Sequence, residues 1–573
     1  MRISFWVAAA CVLALHFVSI PLTIWEHDEV QFAMGVDRYE PLRHHPAPPG
    51  APLFIGAAKL VRPLFPDAFH ALRALNIVAT IAGLAALIAA FGSLTRNRAT
   101  ATLGACLFYA SPSMLVHGMT AFSDPGAIAL LALALWLGAK AQDEPRFAWG
   151  FALACAASVG WRPQFAIAVL PLFFATLVLV RNWRARFVAL GAFTLGCLAW
   201  LVPLVMATGG VAGFVQWLFG QAAYYAAHDA SLSRNGISTS LLFFRFIAHP
   251  WGPKLLAFPV LVAAAIGAAL SLRAKRLLPL AIMGAVYLAF ALATMDPADA
   301  VRYALPSLVA VALFAAVALT SLHHAAWLAL AAYAIGAYLY ASPLLRARAH
   351  TPSPPVAAAA ALRALVPRHS IVLYDLQLRP HAEYLLPEFP QMRIDEGLHR
   401  FGDRVDVPLF IYADGAVGQH VYQWPDSDAY RKLTRGFYRA VSFVDVPPER
   451  RYVALSGVFA PERSRTGQSW RWISRAATLR LPDLGTRTAV LTLRLPPEYP
   501  FDGNRISVNG QLVALRRGQQ LDVAVPLARG RNEIHLVAER AFAPKDIPNS
   551  RNADPRVLSV MLTHVVQRTA PTR

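Results

Sequence analysis

The sequence predicts a polytopic α-helical membrane protein with an exported C-terminal region, first α/β and then a jelly-roll-like β-sandwich. Two observations predict the membrane part. Of 573 residues, 56% are hydrophobic and only 15% charged, whereas soluble domains average about 25% charged. The apolar surplus is concentrated before residue 345, in runs that approach the roughly 20 residues a bilayer-spanning helix needs. A third observation predicts the rest: after residue 345 the chain reads as ordinary polar, globular sequence.

The apolar runs lie near 3–24, 71–92, 99–117, 125–140, 147–160, 164–180, 187–207, 254–272, 277–294, 303–321 and 325–342. They amount to about eleven spans. Runs five and six are short and meet at Trp161-Arg162-Pro163. The basic residues Arg96/Arg98, Lys140/Arg146, Arg181/Arg184/Arg186 and Arg273/Lys275/Arg276 alternate correctly with Arg2 only if 147–180 is a hairpin. Cytoplasmic loops carry the Lys/Arg excess. Asp28, Asp124, Arg162, the loops 208–253 and 295–302, and everything after 343 then face outward. In a Gram-negative bacterium this is an inner-membrane, multi-pass protein with a periplasmic C-terminal region. The first run lacks a small-residue cleavage site and reads as an uncleaved span. Trp217, Phe219 and Trp251 suggest that loop 208–253 holds an interfacial helix.

The exported region divides in two. Residues 346–450 alternate helix-like and strand-like stretches, a small α/β domain. From 451 to 573 the helical signal disappears and short alternating strands follow. Asn509-Gly510 marks a hairpin turn, and this β-sandwich is a candidate carbohydrate-binding domain. Residues 1–345 form the membrane domain. The formal charge of +20 does not imply nucleic acid, because no Lys/Arg tract is present. The four cysteines lie in apolar segments without metal-site or redox spacing.

Polar residues that carry chemistry collect on the outward side. Trp25-Glu26-His27-Asp28-Glu29 ends the first apolar run abruptly. The loop after it holds His44-His45, the Pro-rich His45–Gly50 and Lys59. Ser123-Asp124-Pro125 opens the fourth run, Trp161-Arg162-Pro163 tips the hairpin, and Arg302-Tyr303-Ala-Leu-Pro306 opens the tenth. A carboxylate in such a place can be a general base, a metal ligand or a proton relay. Asp28, Glu29, Asp124 and the His pair are ligand types for a divalent cation but lack diagnostic spacing. Asp426-Ser-Asp428 could hold a metal-bound nucleotide sugar, though it fits helix capping better.

This ordered set resembles the GT-C superfamily of polyprenyl-phosphate-dependent glycosyltransferases, in the branch of protein O-mannosyltransferases and lipid A aminoarabinose transferases. The residues carrying the resemblance are Asp28-Glu29 with Gln31-Phe32-Ala33, the stretch His45–Phe54, Ser123-Asp124-Pro125, and Arg302-Tyr303 with Pro306. It covers about the first 345 residues. One departure is His45-Pro46-Ala47-Pro48-Pro49 where the branch often has Lys-Pro-Pro or His-Pro-Pro. The resemblance implies that the acid of the first loop, Asp28 with Glu29 as second candidate, activates the acceptor. It also implies that Arg162, Arg302 and one of His44, His45 or Lys59 hold the donor phosphate, with Asp124 and Tyr303 nearby.

The chemistry fits those residue types. Transfer from a lipid phosphate needs a base for the acceptor hydroxyl and cations for the departing phosphate. A single displacement inverts the anomeric carbon. The expected activity is a hexosyl- or pentosyltransfer from a polyprenyl-phosphate donor to a glycan, lipid or protein acceptor, beside membrane lipid. A transporter or flippase of lipid-linked sugars is the alternative; broken midplane helices and repeats would mark it. A membrane-anchored sugar-binding scaffold, with Trp470-Arg471-Trp472 and 504–509 lining a glycan surface, is a third reading. Those residues equally suit a core and a turn.

Overall fold

A computed structural model describes residues 2–228, 238–463, 469–486, 488–527, 532–547 and 554–568. The chain forms two compact units. The helical unit comprises Met1–Ser353 together with Trp424–Phe437, and the sheet unit Pro354–Gln423 with Tyr438–Arg573. Residues 424–437, which the sequence groups with the small α/β domain, are thus part of the helical unit.

Among the described residues, five helices are long and apolar enough to cross a membrane: Ala68–Thr95, Asp124–Asp143, Trp183–Ala207, Lys275–Thr294 and one beginning at His324. Two bent pairs raise the number to seven: Thr239–Trp251 with Lys254–Leu270, at 93°, and Pro297–Tyr303 with Leu305–Thr320, at 56°. The eleven apolar runs include several that fold as shorter helices, among them Ala148–Trp161. Run 99–117 is two helices, Arg98–Tyr109 and Pro112–His117. Ser111 caps the second and Pro112 has no N–H to continue the first. Trp6–Phe17 and Pro163–Leu179 are apolar but short.

Large apolar side chains such as Val78, Leu195, Val202 and Leu328 are exposed on these helices. That is the pattern of a surface solvated by lipid, not water. Small residues let the helices approach inside. A Cβ on Gly267 would stand 1.8 Å from the Phe314 carbonyl oxygen, so Lys254–Leu270 and Leu305–Thr320 pack backbone to backbone. In the loop 208–253, Gly210–His228 is helical, while 229–237 lie outside the described residues. Trp251, expected at an interface, is fully buried, and its carbonyl accepts from Tyr333 Oη.

The sheet unit holds two sheets. The first runs β2 (Gln391–Arg393), β1 (Ile371–Tyr374), β3 (Leu409–Asp414), β5 (Ala440–Asp445), β4 (His420–Gln423). β1 pairs parallel with β2 and β3, and β5 pairs antiparallel with β3 and β4. This is the expected small α/β pattern.

The second sheet has eight antiparallel strands, β6 (Val453–Arg463), β7 (Ser469–Arg480), β8 (Thr488–Arg494), β9 (Gly503–Val508), β10 (Gln511–Arg516), β11 (Gln520–Pro526), β12 (Glu533–Ala538) and β13 (Val560–Arg568). The ladders connect them into one hydrogen-bonded sheet. The 12-residue β7 pairs with β13 through 471–473, with β12 through 476–480, and with β6. Asn509 and Gly510 both have positive φ and form the expected turn between β9 and β10. Trp472 packs in a core cluster with Leu558 and Met561. Asn504 donates to Tyr499 Oη and the Arg540 carbonyl. These residues serve packing and turns.

Candidate active site

The helix His27–Asp37 begins where the first apolar run ends, and Glu29 fixes its start. The backbone N–H groups of Trp25 and Glu26 donate to Glu29 Oε2, at 3.0 and 3.1 Å, and that of Ala121 donates to Oε1, at 3.0 Å. Glu29 is therefore saturated by backbone donors and ties this helix to the loop before Asp124. Adjacent helical residues diverge by about 100°, so with Glu29 turned to the backbone Asp28 is left to point elsewhere.

It points at Arg302. The Arg302 guanidinium is almost fully buried, with a side chain only 4% exposed. Its Nη1 donates to Asp28 Oδ2 at 2.7 Å and its Nε to Asp124 Oδ2 at 2.9 Å. Nη1 also lies 3.4 Å from Asp299 Oδ2, and the guanidinium sits 4.0 Å from the Phe122 ring centroid. Arg162, at the hairpin tip between Ala148–Trp161 and Pro163–Phe165, donates through Nη1 to Asp124 Oδ2 and Ser123 Oγ, both at 2.9 Å. His27 Nε2 stands 2.8 Å from Asp28 Oδ1. The bend after Tyr303 is what allows Arg302 to enter, because it ends a one-turn helix, Ala300–Tyr303, rather than sitting within a straight span.

Burial opposes ionisation of Asp28, but His27 and then Arg302 outweigh it and hold the carboxyl well below the usual carboxylate range. At nearby Glu26 the balance falls the other way. Burial, then the charge of Asp299, pushes it up to about 8, despite an opposing contribution from Arg435. Asp28 is thus an anion and Glu26 a neutral acid at neutral pH.

A cavity of about 40 Å³ lies against this network, lined by Asp28, Gln31, Phe32, Ser123, Arg162, Gln164, Arg302, Tyr303 and the turn from Ala47 to Ala51. A water molecule needs about 10–15 Å³ on this measure, so the space fits a head group of a few atoms but not a whole sugar. Two polar atoms of lining residues, Gln31 Oε1 and Arg162 Nε, are buried without a hydrogen-bond partner. Buried polar groups are normally satisfied, so these atoms suit a polar ligand.

Of the residues expected from sequence, Asp28, Asp124, Arg162, Arg302 and Tyr303 meet here. Glu29 serves the backbone. His44 and Lys59 are exposed and His45 half-buried, and none of the three lines the cavity. The loop contributes its proline-rich turn instead of its cations. Lys59 Nζ sits 5.9 Å from the Tyr39 ring centroid. Among the described residues no group of three or more His, Cys, Asp or Glu side chains is arranged to hold a metal ion.

Two residues were not anticipated. Asp299 lies one turn before Arg302, a spacing that could have flagged it. Arg435, from the segment 424–437, has Nε 3.6 Å from Asp299 Oδ2, and its Nη2 donates to Tyr303 Oη at 3.3 Å. Nothing in the sequence marked it. In that segment Ser427 accepts from Tyr430 N and caps the helix Asp428–Leu433, so Asp426-Ser-Asp428 is a helix start.

No protein-family model matches the chain, and no curated protein matches it. Solved structures do. The chain is similar to ArnT from Cupriavidus metallidurans bound to undecaprenyl phosphate, at 13% identity and TM-score 0.51, over 77% of this chain and 97% of that one. For the apo state of the same protein the values are 14%, 0.51, 78% and 98%. The archaeal oligosaccharyltransferase AglB from Archaeoglobus fulgidus, in complex with an inhibitory peptide and a dolichol-phosphate, aligns at 10% identity and TM-score 0.43, over 72% of this chain and 69% of that one. The chain thus shares its fold with ArnT.

Proposed function

We propose that this protein is an inverting glycosyltransferase that moves a hexosyl or pentosyl group from a polyprenyl-phosphate donor to an acceptor hydroxyl at the periplasmic face of a bacterial inner membrane. The observation that carries the proposal is the shared guanidinium. Arg302 bridges Asp28 to Asp124 beside a small cavity with unpartnered polar atoms. The fold supports it, since ArnT, with the same architecture, is a protein solved with undecaprenyl phosphate.

In the proposed reaction the acceptor oxygen attacks the anomeric carbon and its proton passes to Asp28. The carbon–oxygen bond to phosphate breaks, and the electron pair stays on the phosphate oxygen. Arg302 and Arg162 meet the charge that develops there, as preorganised cations in a site poor in water. Asp28 paired to Arg302 is a weak base. A donor phosphate that competes for Arg302 Nη1 loosens this pair and raises the proton affinity of Asp28 when the donor is in place. Gln31, one turn beyond Asp28, offers its unpartnered amide oxygen to a hydroxyl of the ligand that reaches the cavity. About eleven membrane crossings and a jelly-roll-like accessory domain after residue 451 complete the reading. Its acceptor is a glycan, lipid or protein hydroxyl.

The test is release of polyprenyl phosphate from a labelled polyprenyl-phosphate sugar by the purified protein. Arg302→Ala should weaken donor affinity about tenfold to a hundredfold, the value of a charged hydrogen bond. Arg302→Lys should recover part, because it keeps charge without the planar fork. A transporter would move the donor across the bilayer without breaking it. Donor that stays intact through turnover would reject the transferase reading.

A further inference from the structure

The segment Trp424–Phe437 follows β4 in sequence and precedes β5, yet it is part of the helical unit. It is held there by aromatic anchors at its beginning. Trp424 Nε1 donates to Thr351 Oγ1 at 2.9 Å and the Pro352 carbonyl at 3.2 Å. Its ring packs 5.1 Å from that of Trp25, three residues before Asp28, and Tyr430 packs 5.9 Å from the same ring. These contacts attach the segment without help from Arg435.

Arg435 has a different partner set. Its side chain is only 12% exposed, and it addresses Asp299 and Tyr303. Asp299 Oδ2 is also the atom that Arg302 Nη1 approaches at 3.4 Å, while the same Nη1 donates to Asp28 at 2.7 Å. Asp299 therefore stands between two guanidiniums. Arg302 is already the nearer of the two, at 3.4 Å against 3.6 Å for Arg435; with Arg435 gone the buried Asp299 would lean on Arg302 alone and compete with Asp28 for it. Tyr303 sits beside Arg302 in the one-turn helix Ala300–Tyr303, which is too short to hold its own orientation.

We propose that Arg435 is a positioning residue: by neutralising Asp299 and holding Tyr303, it leaves Arg302 free to face Asp28 and the donor phosphate. The proposal rests on the transferase reading only for the identity of the phosphate. It assigns part of the exported sequence to the site itself, and makes the segment 424–437 a strap on which the site depends.

The experiment uses the full chain in nanodiscs, with undecaprenyl phosphate as probe and hydrogen–deuterium exchange across 297–303 as a second readout. Arg435→Ala should weaken undecaprenyl phosphate about tenfold or more and speed exchange in 297–303, with Arg435→Lys recovering part of both. Adding Asp299→Asn to Arg435→Ala should restore affinity to within about threefold of wild type, since the unbalanced carboxylate is then gone. A strap that had merely come loose would gain nothing from that second change. If Arg435→Ala does not survive purification, Arg435→Gln makes the same comparison, keeping a donor for Tyr303 but losing the charge. Wild-type affinity and exchange in the single variants, or no rescue by Asp299→Asn, would overturn the proposal. If wild type binds no undecaprenyl phosphate, yet Arg435→Ala speeds exchange and Asp299→Asn reverses it, the positioning role stands and the donor reading fails.

Discussion

Arginine pairs with carboxylate in both units of this protein, under opposite conditions. In the sheet unit, Arg480 meets Glu533 across β7 and β12 at 2.9 Å, with side chains 45% and 39% exposed. In the helical unit, Arg302 meets Asp124 at the same 2.9 Å, with side chains 4% and 2% exposed. The geometry is alike and the surroundings are not. Water screens the first pair, and such pairs contribute about 0–1 kcal/mol. The second is desolvated, so each charge depends on its partners, and removing one leaves an uncompensated ion. A buried network of this kind is expensive to maintain and is weak evidence for stability. Its concentration around one cavity is what marks the site.

The comparison breaks most visibly at Asp28. If it is the base, Asp28→Asn should lower turnover about 10²- to 10⁴-fold with expression and donor affinity intact. Asparagine caps a helix as well as aspartate does, so a role limited to the helix start predicts near-normal rates. Turnover in purified Asp28→Asn decides between them. Near-normal turnover would move the search to Asp124.

Its neighbour should behave in the opposite way. Glu29→Ala removes the acceptor for three buried backbone N–H groups. Each such group costs about 1–3 kcal/mol when unsatisfied, so thermal stability should drop clearly. Glu29→Gln keeps one carbonyl acceptor and should lose less. A catalytic Glu29 would instead show wild-type melting with lost turnover.

Glu26 offers a pH test of the same buried environment. Its carboxyl sits at about 8 in the fold against an ordinary 4.5. The folded state therefore binds the proton more tightly than the unfolded state does. Stability from this group is full below 4.5 and is lost as pH rises toward 8, at up to about 1.4 kcal/mol per pH unit. Glu26→Gln should flatten that slope, so its melting temperature relative to wild type should rise from pH 5 to pH 8. Parallel curves for the two proteins would show that burial does not hold Glu26 neutral.

Much of this site was legible because membrane topology is a strong constraint. Asp28 and Arg302 are 274 positions apart. Hydropathy and basic loops still put them on one side at one depth, together with Asp124 and Arg162. What topology could not supply was side-chain direction. His44, His45 and Lys59 have the right charge, but His44 sits in a left-handed turn and is exposed. The loop lines the cavity with its turn from Ala47 to Ala51 instead. Glu29 was indistinguishable from Asp28 until its backbone donors were visible. Arg435 had no local signal, because a strap entering the helical unit from between two strands leaves no periodicity in sequence. The strands β8 to β13 were readable from alternation, yet β6, β7 and the single sheet were not, since that sheet depends on β7 pairing with three partners.

The smallest expected effect lies on the sheet. Arg480, Asp483, Asn509, Glu533 and His535 line an open cleft of about 1000 Å³, and its charges resemble those of a binding site by residue type alone. Exposed pairs of this kind couple by about 0.2–1 kcal/mol, and the sugar-phosphate chemistry argued for the helical unit needs none of these side chains. A double-mutant cycle on Arg480→Ala and Glu533→Ala should therefore return a coupling below about 1 kcal/mol, weakening further with salt as screening increases. Turnover of a lipid-linked donor should stay within about twofold of wild type, because surface changes away from special features stay near ±0.5 kcal/mol. The cycle also tests the candidate role of this domain in carbohydrate binding. If the cleft holds the acceptor glycan, Arg480→Ala should raise the acceptor KM while leaving kcat and donor affinity alone. A loss of kcat itself would mean that burial had been the wrong criterion for separating the two groups of charges.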